Sequence, residues 1–191
     1  MIKTGIFGGS FNPIHNGHIT LARQLKEKAG LDEVWLMVSP QNPLKQQADL
    51  LSDEARLQMA RLALEHETGI VVSDYEMHLP KPSYTWLTLQ SLSRDFPDRQ
   101  FVLMIGGDNW SIFDKWYHAD DILRNYHVVV YPRRDEQPVE KDLPATVTMV
   151  EAELLDISST EIRQRIRKGR SIMKLVPPSV AAFIKQEGYY V

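Results

Sequence analysis

Apolar residues along the chain fall into short unbroken runs alternating with stretches in which they recur every three to four positions. Ile2 to Gly8 is such a run, closed by Gly-Gly, and reads as a buried strand. From Ile19 to Ala29 the apolar positions Leu21, Ala22, Leu25 and Ala29 keep helical spacing, and Gly30 stands where a helix C-terminus places glycine. Val34 to Val38 is a second run, closed by Ser39-Pro40. Strand, helix and strand in this order make a βαβ unit, and the crossover makes its two strands parallel.

The alternation continues with a helix from about Asp53 to Glu67, a strand at Ile70 to Val72, a helix from Thr85 to Arg94 and a strand from Phe101 to Ile105. A short helix (Ala119 to Arg124) leads to strands at His127 to Tyr131 and Val147 to Val150, then helices at Thr160 to Lys168 and Pro178 to Glu187. Ser52 is placed to cap its helix, with Asp53 and Glu54 in the first turn. The predicted fold is α/β, doubly wound, with a mostly parallel sheet in a single domain spanning 1–191. Pro132 to Pro144 and Gln41 to Leu51 read as long loops, the latter at a strand's C-terminal end, where open α/β sheets bind ligands.

Composition narrows the function without naming it. A chain of 191 residues with net charge −3 has no general attraction for nucleic acid or anionic membrane. No run approaches the about 20 apolar residues of a membrane span, so a cytoplasmic location is expected; a homo-oligomer is compatible with the sequence. With no cysteine, thiolate nucleophiles and zinc-thiolate sites are excluded, leaving oxygen and nitrogen chemistry.

"GGSFNPIHNGH", residues 8–18, connects the first strand to its helix. A turn of this kind is an anion site, because unpaired N–H groups and the positive end of the helix dipole meet there. It has neither GxGxxG nor GxxxxGK[ST]. It offers Gly8 and Gly9 for close backbone approach, Ser10 as a hydroxyl donor, and His15 and His18 in the first helical turn around Gly17. As imidazoliums the two histidines would donate charge-assisted hydrogen bonds to phosphate oxygens. The competing readings are a helix cap with an exposed partner, or a metal pair; the HExxH spacing of zinc helices is absent.

Three further segments carry chemistry. "ISSTEIRQRI", 157–166, opens a helix with Ser158, Ser159 and Thr160, and Arg163 follows one turn in, a second phosphate cradle. Arg165, Arg167, Lys168 and Arg170 read as a solvated basic face. "KPSYTWLTLQSL", 81–92, makes the amides of Tyr84 and Thr85 first-turn donors suited to a carboxylate. "GGDNWSIFDKWYHADDI", 106–122, follows a buried strand at its ligand end; Asp108 suits ribose hydroxyls and Trp116 offers a flat face to an electron-poor ring. For the last two segments the plain alternatives are an ordinary helix start and core aromatics.

These segments together resemble the HxGH/TxGH nucleotidylyltransferase superfamily, and more narrowly the bacterial nicotinate-nucleotide adenylyltransferases, from residue 1 to about 188. The resemblance implies a Rossmann-like fold and transfer of AMP from ATP to nicotinate mononucleotide, with Mg²⁺ carried by ATP. It implies His15 and His18 as catalytic residues at the α- and β-phosphates. ATP would also be bound by Gly8, Gly9, Ser10, Phe11, Lys45 and Asp108, with Ser158, Ser159 and Arg163 on the leaving phosphates. Nicotinate mononucleotide would meet Tyr84, Thr85, Asp108, Trp116, Tyr117 and Arg133. No protein residue is expected to bind a metal. Nicotinamide mononucleotide or phosphopantetheine as acceptor, and a non-catalytic nucleotide-binding module, are the alternatives. Two positions depart from the family pattern, Asn12 and Leu87, each standing where Asp is usual; an amide at 12 cannot serve a metal as a carboxylate would.

Overall fold

A computed structural model describes residues 1–41, 48–132 and 143–191. Its center is a six-stranded sheet of β1 (Ile2–Gly9), β2 (Glu33–Val38), β3 (Ile70–Ser73), β4 (Arg99–Gly106), β5 (His127–Tyr131) and β6 (Val147–Met149), in the order β3-β2-β1-β4-β5-β6. Every neighboring pair is parallel, so the mostly parallel expectation becomes a wholly parallel sheet among the described residues.

The unbroken apolar runs are explained by burial on both faces. Side chains alternate between faces along each strand. Phe7, Leu36, Val102, Met104 and Val129 enter one core, with α1 (Asn16–Lys28), α2 (Asp53–Leu64), α6 (Ser159–Arg167) and α7 (Pro178–Glu187). Ile6, Met37, Leu103, Val128 and Val130 enter the other, with α3 (Thr85–Asp95) and α5 (Ala119–Asn125).

Boundary differences have local causes. The first helix begins at Asn16, three residues before its apolar stripe, because His15 and His18 close its first turn on each other (below). Ser52 caps α2 as expected, accepting from the Ala55 N–H at 3.2 Å. The helix α2 ends at Leu64 instead of Glu67. A four-residue helix, α4 (Gly107–Trp110), and 3-10 turns at Tyr75–His78 and Phe113–Lys115 have no periodic signal in the sequence and were not predicted.

β1 and β4 lie side by side at the point where the strand order reverses. The chain leaves their C-terminal ends toward opposite sides, which opens a crevice between Gly8-Gly9 and Gly106. In the middle of β1, a Cβ on Gly5 would sit 2.5 Å from the Met104 sulfur and 2.7 Å from Leu31 Cδ1, so this position is closely packed. Gly5→Val is expected to lower stability by about 1–3 kcal/mol through overpacking. Thermal denaturation checks it: each kcal/mol moves Tm by about 2–4 °C in a domain of this size, and an unchanged Tm would refute the packing argument.

Candidate active site

Two cavities adjoin at the crevice. One, of about 540 Å³, is lined by Ser10, Phe11, His15, His18, Ser158 and Ser159 among others. The second, of about 190 Å³, is lined by Glu76, Thr85, Thr88 and Trp116 among others. They share Gly8, Gly9, Asn109 and Tyr131. The open side of Gly8 has no heavy atom within 4 Å of where a Cβ would stand, whereas at Gly9 that space is filled by the Phe11 ring at 3.0 Å.

The paired histidines are arranged differently from two parallel cations. His15 is the N-cap of α1 and His18 the third residue of its first turn. The His15 N–H donates to Nδ1 of His18 at 3.2 Å, which makes Nδ1 an acceptor and puts the ring proton on Nε2. The rings stack with centroids 3.6 Å apart. His15 is 5% exposed, and burial pushes its pKa down to about 4. Two stacked imidazoliums at this distance would repel, and burial already favors the neutral ring. Without a ligand, burial holds His15 neutral at pH 7, and Nδ1 of His18 is taken up by the His15 N–H; the imidazolium expectation therefore applies to a phosphate-bound state. Gly17 lines the larger cavity, and a Cβ there would lie 2.9 Å from Cε1 and Nδ1 of His15, so the glycine also makes room for the His15 ring.

Asn12, unassigned by sequence, is 5% exposed and fully engaged. Its Nδ2 donates to the Asp49 carbonyl at 2.7 Å; its Oδ1 accepts from the Leu51 N–H at 3.2 Å and from the Tyr190 hydroxyl at 2.7 Å. A carboxylate could accept both bonds but could not donate to Asp49.

The second signature reaches the first directly. Ser158 caps α6, accepting from the Glu161 N–H at 3.1 Å, which leaves its own proton to donate. The Ser159 hydroxyl donates to the Pro13 carbonyl at 2.9 Å. Arg163 Nη1 donates to the Asn12 carbonyl at 2.8 Å and Nη2 to Thr160 Oγ1 at 3.3 Å. Ser159 thus spends its donor on the protein, and Arg163 is turned beneath the first turn, outside both cavity linings. Of the basic face read as solvated, Arg167 pairs with Asp49, while Arg165 meets Glu161 at 2.9 Å.

On the other side, Tyr84 is the N-cap of α3 and its side chain makes no capping bond, so Thr85 begins a helix without a side-chain cap. Thr85 and Trp116 line the smaller cavity. The Tyr84 and Tyr117 rings lie outside it, 43% and 48% exposed, packed on each other at 4.8 Å. Asp108 lies in α4, one residue before Asn109. Lys45 and Arg133 fall outside the described residues.

Several site residues escaped the sequence reading. Asn109 and Tyr131 form the shared wall. Glu76, its carboxyl accepting from Thr88 Oγ1 at 2.9 Å and from the Ser39 side chain, lines the smaller cavity; burial raises its pKa. Arg56 has no exposed surface and binds three loop carbonyls. Its register was readable: Arg56, Met59, Ala60 and Ala63 share the buried stripe of α2.

A parallel sheet with two adjoining cavities at its switch point, one walled by a glycine turn and two helix N-termini, defines a nucleotide-binding α/β protein. The model for cytidylyltransferase-like proteins matches residues 6–165. A protein of Bacteroides fragilis named probable nicotinate-nucleotide adenylyltransferase is 48% identical over 185 residues, 97% of this chain and 92% of the relative. One of Flavobacterium johnsoniae, with the same name, is 41% identical over 99% of both chains. The chain belongs to the nicotinate-nucleotide adenylyltransferase family. Two solved structures share the fold. Plasmodium falciparum nicotinic acid mononucleotide adenylyltransferase complexed with NaAD has a TM-score of 0.78 at 19% identity, over 100% of this chain and 98% of that one. A putative nicotinate-nucleotide adenylyltransferase of Vibrio parahaemolyticus has a TM-score of 0.73 at 23% identity, over 100% and 96%. Among the described residues no helix is long and apolar enough to cross a membrane, and no three His, Asp or Glu cluster as a metal cage.

The His15 arrangement has a pH signature. Unfolded, the ring takes up a proton near pH 6.5; folded, near 4. Between these values the unfolded state binds more protons, so stability falls as pH drops from 6.5 to 4. The loss due to His15 is on the order of 3 kcal/mol. Urea unfolding at pH 7 and pH 4 is expected to show the stability gap between wild type and His15→Gln shrinking by about that amount at the lower pH. A gap independent of pH would show that His15 is not buried neutral.

Proposed function

We propose that the protein transfers AMP from ATP to nicotinate mononucleotide, releasing pyrophosphate and forming nicotinate adenine dinucleotide, within one nucleotidyltransferase domain of the cytoplasm. The observation that carries this is the shared wall. Two ligands, one in each cavity, would meet at Gly8-Gly9, where the turn amides and the histidine pair also converge.

In the reaction the 5′-phosphate oxygen of the acceptor attacks the α-phosphorus of ATP. The bond from that phosphorus to the bridging oxygen breaks, and its electron pair leaves with pyrophosphate. Such a transfer needs position and charge cancellation and no protein nucleophile. On this reading Gly8, Gly9, Ser10 and Phe11 bring backbone close to the triphosphate, His18 donates from Nε2, His15 orients His18, and Ser158 donates its free hydroxyl proton. Ser159, whose donor is placed on Pro13, acts through the first turn, and Arg163 holds the Asn12 carbonyl through Nη1 while its Nε stays without a partner among the described residues. Thr85 and the Tyr84 amide take the pyridine carboxylate, Trp116 stacks on the ring, and Tyr117 packs on Tyr84 at the rim. Asp108, Lys45 and Arg133 enter on the family resemblance alone. A divalent cation such as Mg²⁺ would come with the substrate phosphates and would offset their charge; Asn12, an amide with both ends engaged, would add no carboxylate to it.

The test is pyrophosphate release from ATP with nicotinate mononucleotide, nicotinamide mononucleotide or phosphopantetheine as acceptor. The first is expected to be fastest, because helix N–H groups favor a carboxylate over a neutral amide. Equal rates with the first two would remove the carboxylate argument, and turnover with phosphopantetheine alone would replace the acceptor. His18→Ala is expected to fold and to lose about 10²–10³ in kcat, as when one preorganized donor is removed; wild-type turnover in that variant takes His18 out of the mechanism.

A further inference from the structure

Arg56 lies at the back of the nucleotide site with no exposed surface. Its Nη1 donates to the carbonyls of Ser10, at 2.7 Å, and Ser39, at 2.8 Å. Nε donates to the Leu51 carbonyl at 3.0 Å, and Nη2 to Asp53 Oδ1 at 2.6 Å. Asp53 also accepts from the Gln41 N–H at 3.0 Å, and Lys81 approaches its other oxygen at 3.7 Å. One guanidinium therefore holds the end of the β1 turn, the end of β2 and the start of α2. Only a planar fork with five donors spans such a set; an ammonium is a single point.

The bond to Ser10 has a consequence on the opposite side of the same peptide. The Ser10–Phe11 peptide is trans, so its C=O and N–H point in opposite directions. With the carbonyl drawn back onto Arg56, the Phe11 N–H points away from the guanidinium, in a turn where Ser10 and Phe11 both line the larger cavity. Phe11 is 3% exposed, its backbone is held at φ 47°, and its N–H donates to no acceptor among the described residues. A buried amide donor left open on a cavity wall is incomplete without an acceptor.

We propose that Arg56 is a positioning residue of the nucleotide site, aiming the Phe11 N–H at a phosphate oxygen of ATP while tying Ser10 to Ser39, Leu51 and Asp53. This rests on the reading of the larger cavity as the triphosphate site. Arg56 itself touches no substrate; its effect passes through the Ser10 carbonyl.

Arg56→Lys is the test, with Ile122→Ala in the core of α5 as the control for lost stability. ATP affinity is measured by calorimetry without acceptor, and KM for each substrate in the pyrophosphate assay, below the unfolding temperature of every variant. Arg56→Lys is expected to weaken ATP binding roughly tenfold to a hundredfold, the worth of a misaimed charge-side hydrogen bond. KM for nicotinate mononucleotide stays within about twofold in that variant, and the control keeps wild-type ATP affinity. Unchanged ATP affinity in a folded Arg56→Lys would overturn the proposal, as would equal weakening by Ile122→Ala. If Arg56→Lys does not fold, the amide resonance of Phe11 in the wild-type protein decides. A shift on adding ATP supports the proposal, and none refutes it. Failure of the function reading is seen separately, as wild-type protein that binds no ATP or releases no pyrophosphate.

Discussion

Everything that distinguishes this site from a bare α/β crevice depends on one amide. Asn12 joins segments that no strand or helix ladder connects: the first turn, the chain at Asp49 and Leu51, and Tyr190. Its own carbonyl takes Arg163 from α6. Each bond is worth about 1 kcal/mol net, but a broken one would leave a buried polar group open at about 1–3 kcal/mol. Because Asn12 is 5% exposed, water cannot substitute freely, and the four segments are fixed relative to one another. An aspartate would oppose its charge to the Asp49 carbonyl, so the local partners make the amide the fitting residue here. Tyr190, whose phenol is held neutral by burial, completes the junction as a donor.

The same preference for dipoles over charges runs through the phosphate side. Neutral His15, the stacked His18 ring, the Phe11 amide and the N-termini of α1 and α6 line or flank the larger cavity, and the cations Arg56 and Arg163 stand behind the backbone. A buried cation in an empty cavity would have to bear its desolvation alone. For His15 that cost is on the order of 3 kcal/mol. A unit phosphate charge at about 4 Å, with an effective dielectric near 20, is worth about 4 kcal/mol. The two are comparable, so a bound triphosphate would bring the ring near the point at which it accepts a proton, and charge appears when there is charge to meet.

How much of this the sequence carried follows from the range of each interaction. Strand and helix identities were legible because burial on both faces of a parallel sheet writes continuous apolar runs, and the helices between them keep their stripe. The glycine turn and the ISST helix start were legible because their residues are neighbors in the chain. Asn12 was not, since its partners come from 37, 39 and 178 positions away. Arg56 is a charged residue of a type that is mostly exposed, although its spacing with Met59, Ala60 and Ala63 places it on the buried stripe. The burial that keeps His15 neutral without a ligand was not legible, because the stacking of the two rings arises only once Gly17 lets the His15 ring fold back over the helix start.

The strand order explains why so little catalytic machinery is needed. With β1 and β4 adjacent and their continuations diverging, the two cavities open from the same strand ends and share a wall four residues wide in sequence terms: Gly8, Gly9, Asn109 and Tyr131. Gly8 and Gly9 end β1, Asn109 follows β4 and Tyr131 ends β5, so the distance between the two sites is set by sheet geometry. Effective concentrations from such fixed placement reach about 10⁵–10⁸ M in well-oriented systems. For a reaction whose barrier is mostly the meeting of two anions, orientation and a ring of N–H donors address both halves of the problem. A sheet that reverses its order at a glycine-ended strand supplies both at once.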